Sequence, residues 1–192
     1  MQGLPVESHV PVLRLSIAQY HGMRDAGILD EDAPIELLEG LLVPKMTKHP
    51  KHRLATRLVR SALERVVPGS HYVDSQEPIT TDDSEPEPDV VVVAGSPRDY
   101  ADRHPGPGDV GLVVEISDDS LERDRTLKLR LYARAGIPVY WIVNLRSRIV
   151  EVYEAPSGAA YARRAEFAAA SDVPVVVGGR ELARIRVDSV LP

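Results

Sequence analysis

The chain has 192 residues, 43% hydrophobic and 27% charged, with a net charge of −6 and no cysteine. That length suits one domain with one sizeable core. The charge excludes a protein that coats nucleic acid through bulk electrostatics, although a local basic groove stays compatible with it. Without cysteine there is no disulfide framework and no thiolate metal site. No apolar run approaches the roughly 18 residues of a membrane span, and the N-terminus lacks a signal peptide's basic start and apolar core. A cytoplasmic protein with no membrane partner is expected.

Met1 to Arg14 is expected to be an extended arm. Leu15 to Ile28 has apolar residues near helical spacing, and Gly27 can end that short helix. Ile35 to Met46 predicts two short strands joined at Glu39-Gly40, a tight-turn pair. A second helix is expected from about Lys51 to Val67, with the stripe Ala55, Leu58, Val59, Ala62, Leu63 and Val66. Its other face carries Arg53, Arg57, Arg60 and Glu64, and Lys45, Lys48, His49, Lys51 and His52 lie at or before its start. This basic run reads equally as a solvated face or as the phosphate-contacting edge of a groove, with Lys48, Lys51 and Arg53 as the nucleic-acid-binding candidates.

His71 to Asp74 predicts a short strand. An acidic, proline-rich passage, TTDDSEPEPD, then runs into the valines of Val90 to Ala94. Four consecutive valines predict a central strand buried on both faces, with Asp89 at its mouth. Ser96 to Asp109 is rich in proline and glycine and is expected to be a loop. A strand at Leu112 to Ile116, a helix from about Leu121 to Ala135 and a strand at Val139 to Val143 follow. Arg148 to Glu154 alternates as a half-exposed strand paired with Val139 to Val143 through a turn at Leu145 to Ser147. Pro156 to Gly158 is expected to turn, Ala160 to Phe167 to be a strand, and the tail to form short strands around Gly178-Gly179 or a short terminal helix. With no internal repeat and no second boundary, residues 1–192 are expected to form a single α/β domain, a mixed sheet flanked by helices.

Two charges sit where a structural pattern would not put them. Glu115 stands inside an apolar strand. At about 100° per residue, Lys128 falls mid-stripe among Leu121, Leu131, Tyr132 and Ala135, with Asp124 beside it. Charges are rarely buried unless they are paired or bind something. Glu115 follows Asp89 by 26 residues, and Lys128 follows Glu115 by 13. If the two strands are neighbours, both carboxylates approach one point. Two carboxylates and a carbonyl are the hard oxygen ligands that Mg²⁺ or Mn²⁺ prefers. A lysine there can orient or deprotonate a water, or offset charge on a phosphoryl transition state. The chemistry this suits is metal-assisted phosphodiester hydrolysis.

Plainer roles compete. Asp89 after a proline can form a turn. Lys128 can make an i,i+4 pair with Asp124, which suits Asp124 better as a structural partner than as a ligand. Glu36 can point either way from its strand, and Glu39 fits a turn. His52, at the edge of the apolar stripe, is more often structural than a ligand. Ser117 suits a turn or cap, and Tyr140 and Trp141 suit sheet packing.

Pro88-Asp89, then Glu115, then a lysine resembles the signature of the PD-(D/E)XK nuclease superfamily. The usual lysine position, two after the acid, is Ser117 here, so Lys128 resembles a lysine displaced onto the next helix. VVEISDDSLERDRTLKLRLYARAGIPVYWIV is similar to the hallmark of the Uma-two family of restriction endonucleases, which runs roughly Glu-x-x-Ser, Asp-x-x-x-Lys, Tyr-Ala, Gly-(Val/Ile), Tyr-Trp-x-Val. ELLEGLLVPKM followed by His52 resembles the family's Glu-Leu-x-x-Gly segment, methionine and histidine. Val139 stands where an acid is common, and Asn144 where Asp is common. The resemblance covers nearly the whole chain and implies a restriction-endonuclease-like fold and a Mg²⁺-dependent endonuclease acting on DNA. It also implies Asp89 and Glu115 as metal ligands, Lys128 as the water-positioning group, Glu36 as an accessory acid and His52 near the site mouth. The rival readings are a nuclease fold kept as a non-catalytic binding module, and a nuclease acting on RNA or branched DNA. A homodimer would suit cutting both strands of a duplex, and no sequence feature demands one.

Overall fold

The computed structural model describes residues 11–30, 32–46 and 48–192. The expected arm falls largely outside the described residues; Pro11 to Arg14 carry neither helix nor strand. Ser16 caps α1 (Ile17–Asp25): its hydroxyl accepts the Gln19 N–H while the Gln19 side chain accepts the Ser16 N–H. That reciprocal box fixes the start of a helix with little apolar face of its own. β1 (Ile35–Leu38) and β2 (Leu41–Pro44) form the expected hairpin. Glu39 and Gly40 close it at φ of 50° and 75°, the twist that suits a two-residue turn. A Cβ on Gly40 would stand 2.6 Å from the Arg14 Cβ, so this position needs glycine for space as well as for φ.

α2 (Pro50–Glu64) starts just ahead of the expected boundary, because Pro50 sits at the first helical turn, where its missing N–H costs nothing. It ends before Val66 and Val67, which pack on the core from the following turn. Its buried line is Ala55, Val59 and Leu63.

Six strands make the central sheet, in the order β3 (His71–Asp74), β4 (Val90–Ala94), β5 (Val110–Ser117), β6 (Val139–Asn144), β7 (Ile149–Ser157) and β8 (Ala160–Ala168). β5 and β6 run parallel and the other neighbours antiparallel. A parallel pair needs a long crossover, and α3 (residues 121–134) supplies it. This is a mixed α/β fold, as expected. Pro156 does not turn the chain: it lies inside β7 opposite Tyr161, and the reversal comes two residues later at Gly158, at φ 58°. The tail forms the hairpin β9 (Asp172–Val177) and β10 (Arg180–Arg186) around Gly178-Gly179, then a short 3-10 turn.

The sheet separates two apolar layers. Leu112, Val114 and Ile116 of β5 pack with α2 and the β9–β10 hairpin. Val113 packs with Leu131 and Tyr132 of α3 and with Leu38 of β1. Strand alternation therefore turns Glu115 toward α3 and the β1–β2 hairpin. Among the described residues no helix is long and apolar enough to cross a membrane.

Candidate active site

The β4–β5 register pairs Val90 with Val114, so Asp89, one residue before β4, stands across from Glu115. Asp89 Oδ2 accepts the Ile116 N–H at 2.9 Å, which fixes the carboxylate at the strand mouth. Lys128 reaches down from α3: its Nζ is 2.8 Å from Glu115 Oε1 and 3.2 Å from Glu36 Oε1 on β1. The Tyr132 hydroxyl donates to the same Glu115 oxygen at 2.7 Å, and the Glu87 N–H donates to Glu36 Oε1 at 2.8 Å. Asp89, Glu115 and Lys128 are 5%, 3% and 3% exposed, so three charges that sequence separates are buried together.

Burial alone would push the Lys128 ammonium toward its neutral form, but Glu115, Glu36 and Asp124 outweigh it and hold the lysine protonated. Glu115 moves the other way. Burial, with Asp89, Asp124 and Glu36 nearby, raises it above the usual carboxylate range against the opposing pull of Lys128. For Glu36 burial is outweighed by Lys128 and by the Glu87 N–H, so it is lowered. Asp89 is also lowered: burial is overcome by the His52 hydrogen bond, by the charges of His52 and Lys48, and by the Ile116 N–H.

His52 Nε2 lies 3.1 Å from Asp89 Oδ2, and Lys48 Nζ lies 3.3 Å from Asp89 Oδ1. His52 is set by α2, where the Thr56 hydroxyl donates to its carbonyl at 3.0 Å. It therefore touches the site directly, which a lone histidine at a stripe edge does not announce. Lys51 and Arg53 are exposed on α2 and lie off the cleft wall. Of the two hairpin acids, Glu36 faces Lys128, whereas Glu39 is gripped by Arg130 at 2.8 and 2.7 Å and by Arg134 at 3.3 Å.

The expected direct Asp124–Lys128 pair is corrected. Asp124 Oδ2 accepts the Ser117 and Ser120 hydroxyls, each at 2.6 Å, and acts on Lys128 only through the field. The helix between them is not regular. Residues Asp124–Lys128 form a π-turn between two α segments, Leu121–Arg123 and Leu129–Arg134. The Asp124 carbonyl accepts the Leu129 N–H, five residues on, and also the Tyr140 hydroxyl at 3.1 Å. The Tyr140 hydroxyl therefore shares the carbonyl at which the helical ladder widens. Tyr140 thus does more than fill the sheet. Ser117 serves Asp124.

Glu36, Lys48, His52, Asp89, Glu115, Asp124 and Lys128 line one open cleft with Lys45, Met46, His49, Glu87, Asp118, Asp119, Ser120 and Arg123. Lys45 pairs with Glu87 at 2.5 Å across its wall. Seven carboxylates there face four lysine or arginine side chains, leaving an excess of negative charge. Among the described residues no group of three or more His, Cys, Asp or Glu side chains is gathered as a ready-made metal cage. Tyr132 and Arg123 went unassigned by the sequence. The first had a signal, since a buried tyrosine hydroxyl requires a partner; the second had none, because an α-helical wheel turns it away from Lys128.

A mixed sheet with a crossover helix, opposed strand-end acids and a buried lysine defines a protein of the restriction-endonuclease-like nuclease fold. The architecture is similar to that of a solved structure titled a "putative nuclease belonging to DUF820" from Anabaena variabilis ATCC 29413. The two share a TM-score of 0.65 and 17% identity, over 92% of this chain and 97% of that one. The family profile described as "Uma2: Putative restriction endonuclease" matches residues 17–183, and the chain belongs to that family. No curated protein matches the sequence.

Proposed function

We propose that this protein is a Mg²⁺-dependent endonuclease that hydrolyses DNA phosphodiester bonds, with Mn²⁺ the other cation its donors suit. One observation carries this: Asp89 stands across from Glu115 while the Lys128 Nζ lies 2.8 Å from Glu115, inside an open cleft. Family membership supports nuclease chemistry, and its description supports DNA as the substrate.

The donor set fits a hard divalent cation. Mg²⁺ is commonly held by one or two carboxylates, with water and substrate phosphates completing its shell, so a three-residue cage is not required. An acidic cleft that must accept a polyanion also needs added positive charge. Asp89 and Glu115 would hold the cation, which when bound supplies charge neutralisation at the phosphoryl group. Lys128, kept as an ammonium, donates a hydrogen bond that orients the attacking water and meets charge developing on oxygen; as an ammonium it cannot be the base. Glu36 and the Tyr132 hydroxyl hold Lys128 and Glu115 in place. Lys48 and His52 offer cationic or donor groups to the incoming phosphate at the cleft lip.

The test is cleavage of plasmid DNA, single-stranded DNA and RNA with Mg²⁺ or with EDTA, beside Glu115→Gln. Plasmid cleavage confined to Mg²⁺ and lost in the variant is expected; equal activity in wild type and variant would sink the assignment. The RNA and single-strand arms separate a nuclease of another substrate. A second reading, the fold retained as a non-catalytic binding module, is favoured by the engagement of both Asp89 oxygens with Lys48, His52 and Ile116. Calorimetry with Mg²⁺ distinguishes them, since the module requires no heat of binding that Asp89→Asn removes.

A further inference from the structure

We propose that Arg123 is the phosphate clamp of this site, its guanidinium gripping the non-bridging oxygens of the phosphodiester to be cut. The inference rests on the nuclease reading. α3 carries four arginines. Arg125 is bonded to Glu151, Arg130 to Glu39, and Arg134 to Glu39 and Asp83. Arg123 alone of these has no carboxylate within ion-pair distance among the described residues, although acids line the same cleft. Among the described residues its one side-chain hydrogen bond runs from Nη1 to the Pro44 carbonyl at 3.2 Å. Its Nε is buried with no partner.

An orphaned donor on a cation is costly, and a role at a reacting site is one of the physical reasons for keeping one. The Pro44 carbonyl takes one edge of the fork and sets the direction of the rest. An anion with two oxygens at one centre matches such a fork, and a phosphodiester has that shape. Each lysine of the cleft has a carboxylate partner, Lys45 with Glu87, Lys48 with Asp89, and Lys128 with Glu115 and Glu36, so any contact they make to phosphate competes with one.

The π-turn explains how Arg123 comes to share the site with Lys128. Residues five apart are about 140° apart around an α-helix. Bonding from residue i to i+5, as between Asp124 and Leu129, carries such residues toward one face. Ser117, Ser120 and Tyr140, which hold Asp124, therefore position Arg123 as well.

The experiment compares wild type, Arg123→Ala and Arg123→Lys in two assays: DNA binding in EDTA across a salt series, and single-turnover cleavage with Mg²⁺. Losing one phosphate contact should lower the slope of log K against log salt by about one unit in the alanine variant, while lysine keeps it. The cleavage rate should fall about a hundredfold or more with alanine, and lysine, which keeps the charge without the fork, should recover only part of it. A wild type that neither binds nor cuts DNA removes the nuclease reading and this inference with it. A wild type that cuts, beside an alanine variant with unchanged slope and rate, overturns the inference alone. Should the alanine variant fail to fold, the lysine variant decides: a kept slope with a reduced rate supports the clamp, and a full rate overturns it.

Discussion

Asp89 is tied to Ile116: its Oδ2 accepts that backbone N–H at 2.9 Å, so the acid that faces the cleft also staples the mouth of β4 to the end of β5. The two duties can be separated by substitution. Asp89→Asn keeps an oxygen acceptor but removes the charge. It should abolish Mg²⁺-dependent cleavage and change stability by no more than about 1 kcal/mol. Asp89→Ala loses both and strands the buried N–H, which should cost about 1–3 kcal/mol more. Urea unfolding beside plasmid nicking reads both effects, and equal stability of the two variants would refute the staple.

Lys128 is the ammonium shared by Glu115 and Glu36, at 2.8 and 3.2 Å. Replacing it with methionine leaves two buried acids without their counter-ion, a loss of about 3–5 kcal/mol. Glu36→Gln in the same chain removes one of those stranded charges, so Lys128→Met with Glu36→Gln should be more stable than the sum of the single losses predicts. A double-mutant cycle by chemical denaturation measures this coupling. Strict additivity would show that Glu36 and Lys128 are not energetically joined.

The hairpin acids should divide between chemistry and stability. Glu36→Gln loosens Lys128 and should reduce cleavage about tenfold or more. Glu39 is fixed by arginines, with the Arg130 hydrogen bond the main reason its carboxyl is lowered. Those arginines are half exposed, so Glu39→Gln should cost only about 0.5–1 kcal/mol and leave cleavage unchanged. Melting and cleavage assays on both variants check the division; a cleavage defect confined to Glu39→Gln would reverse it.

Much of this was legible in the residues because apolar period and turn chemistry are local. The valines of β4, the Glu39-Gly40 turn and the alternation of β7 each declare themselves within a few positions. Glu115 and Lys128 stood out because burial of an unpaired charge is costly wherever it occurs. What the residue pattern by itself left open depends on partners distant in sequence. Glu36 meets Lys128 across 92 residues, and His52 meets Asp89 only once α2 lies beside the mouth of β4. Asp124 was misplaced and Arg123 left unassigned for a sharper reason: α3 carries a π-turn, and the carbonyl that opens it also accepts the hydroxyl of Tyr140 on the next strand. No helical wheel contains that event. Glu151 lies in a strand expected to be half exposed, and its burial became visible only with Arg125 and Arg164 in place.

Glu151 is 0% exposed and is held by Arg125 at 2.6 Å, Tyr153 at 2.8 Å, Arg164 at 3.1 Å and Asn144 at 3.3 Å. Asn144 suits this network better than an aspartate would, since its amide donates to the carboxylate. Burial would raise the Glu151 carboxyl, but Arg125, Tyr153 and Asn144 outweigh it and lower it from its ordinary value of 4.5. A group lowered on folding binds its proton more tightly in the unfolded chain. Its stabilisation is therefore complete above the unfolded carboxylate range and is lost as pH falls through the folded value. Wild type should lose melting temperature from about pH 5 down to pH 3 more steeply than Glu151→Gln, which has no such proton to take up. At neutral pH the variant should be less stable by about 1–3 kcal/mol, a figure reduced because both arginines are substantially exposed. Melts of the two proteins across that range measure the difference, and parallel curves would remove Glu151 as a source of acid sensitivity.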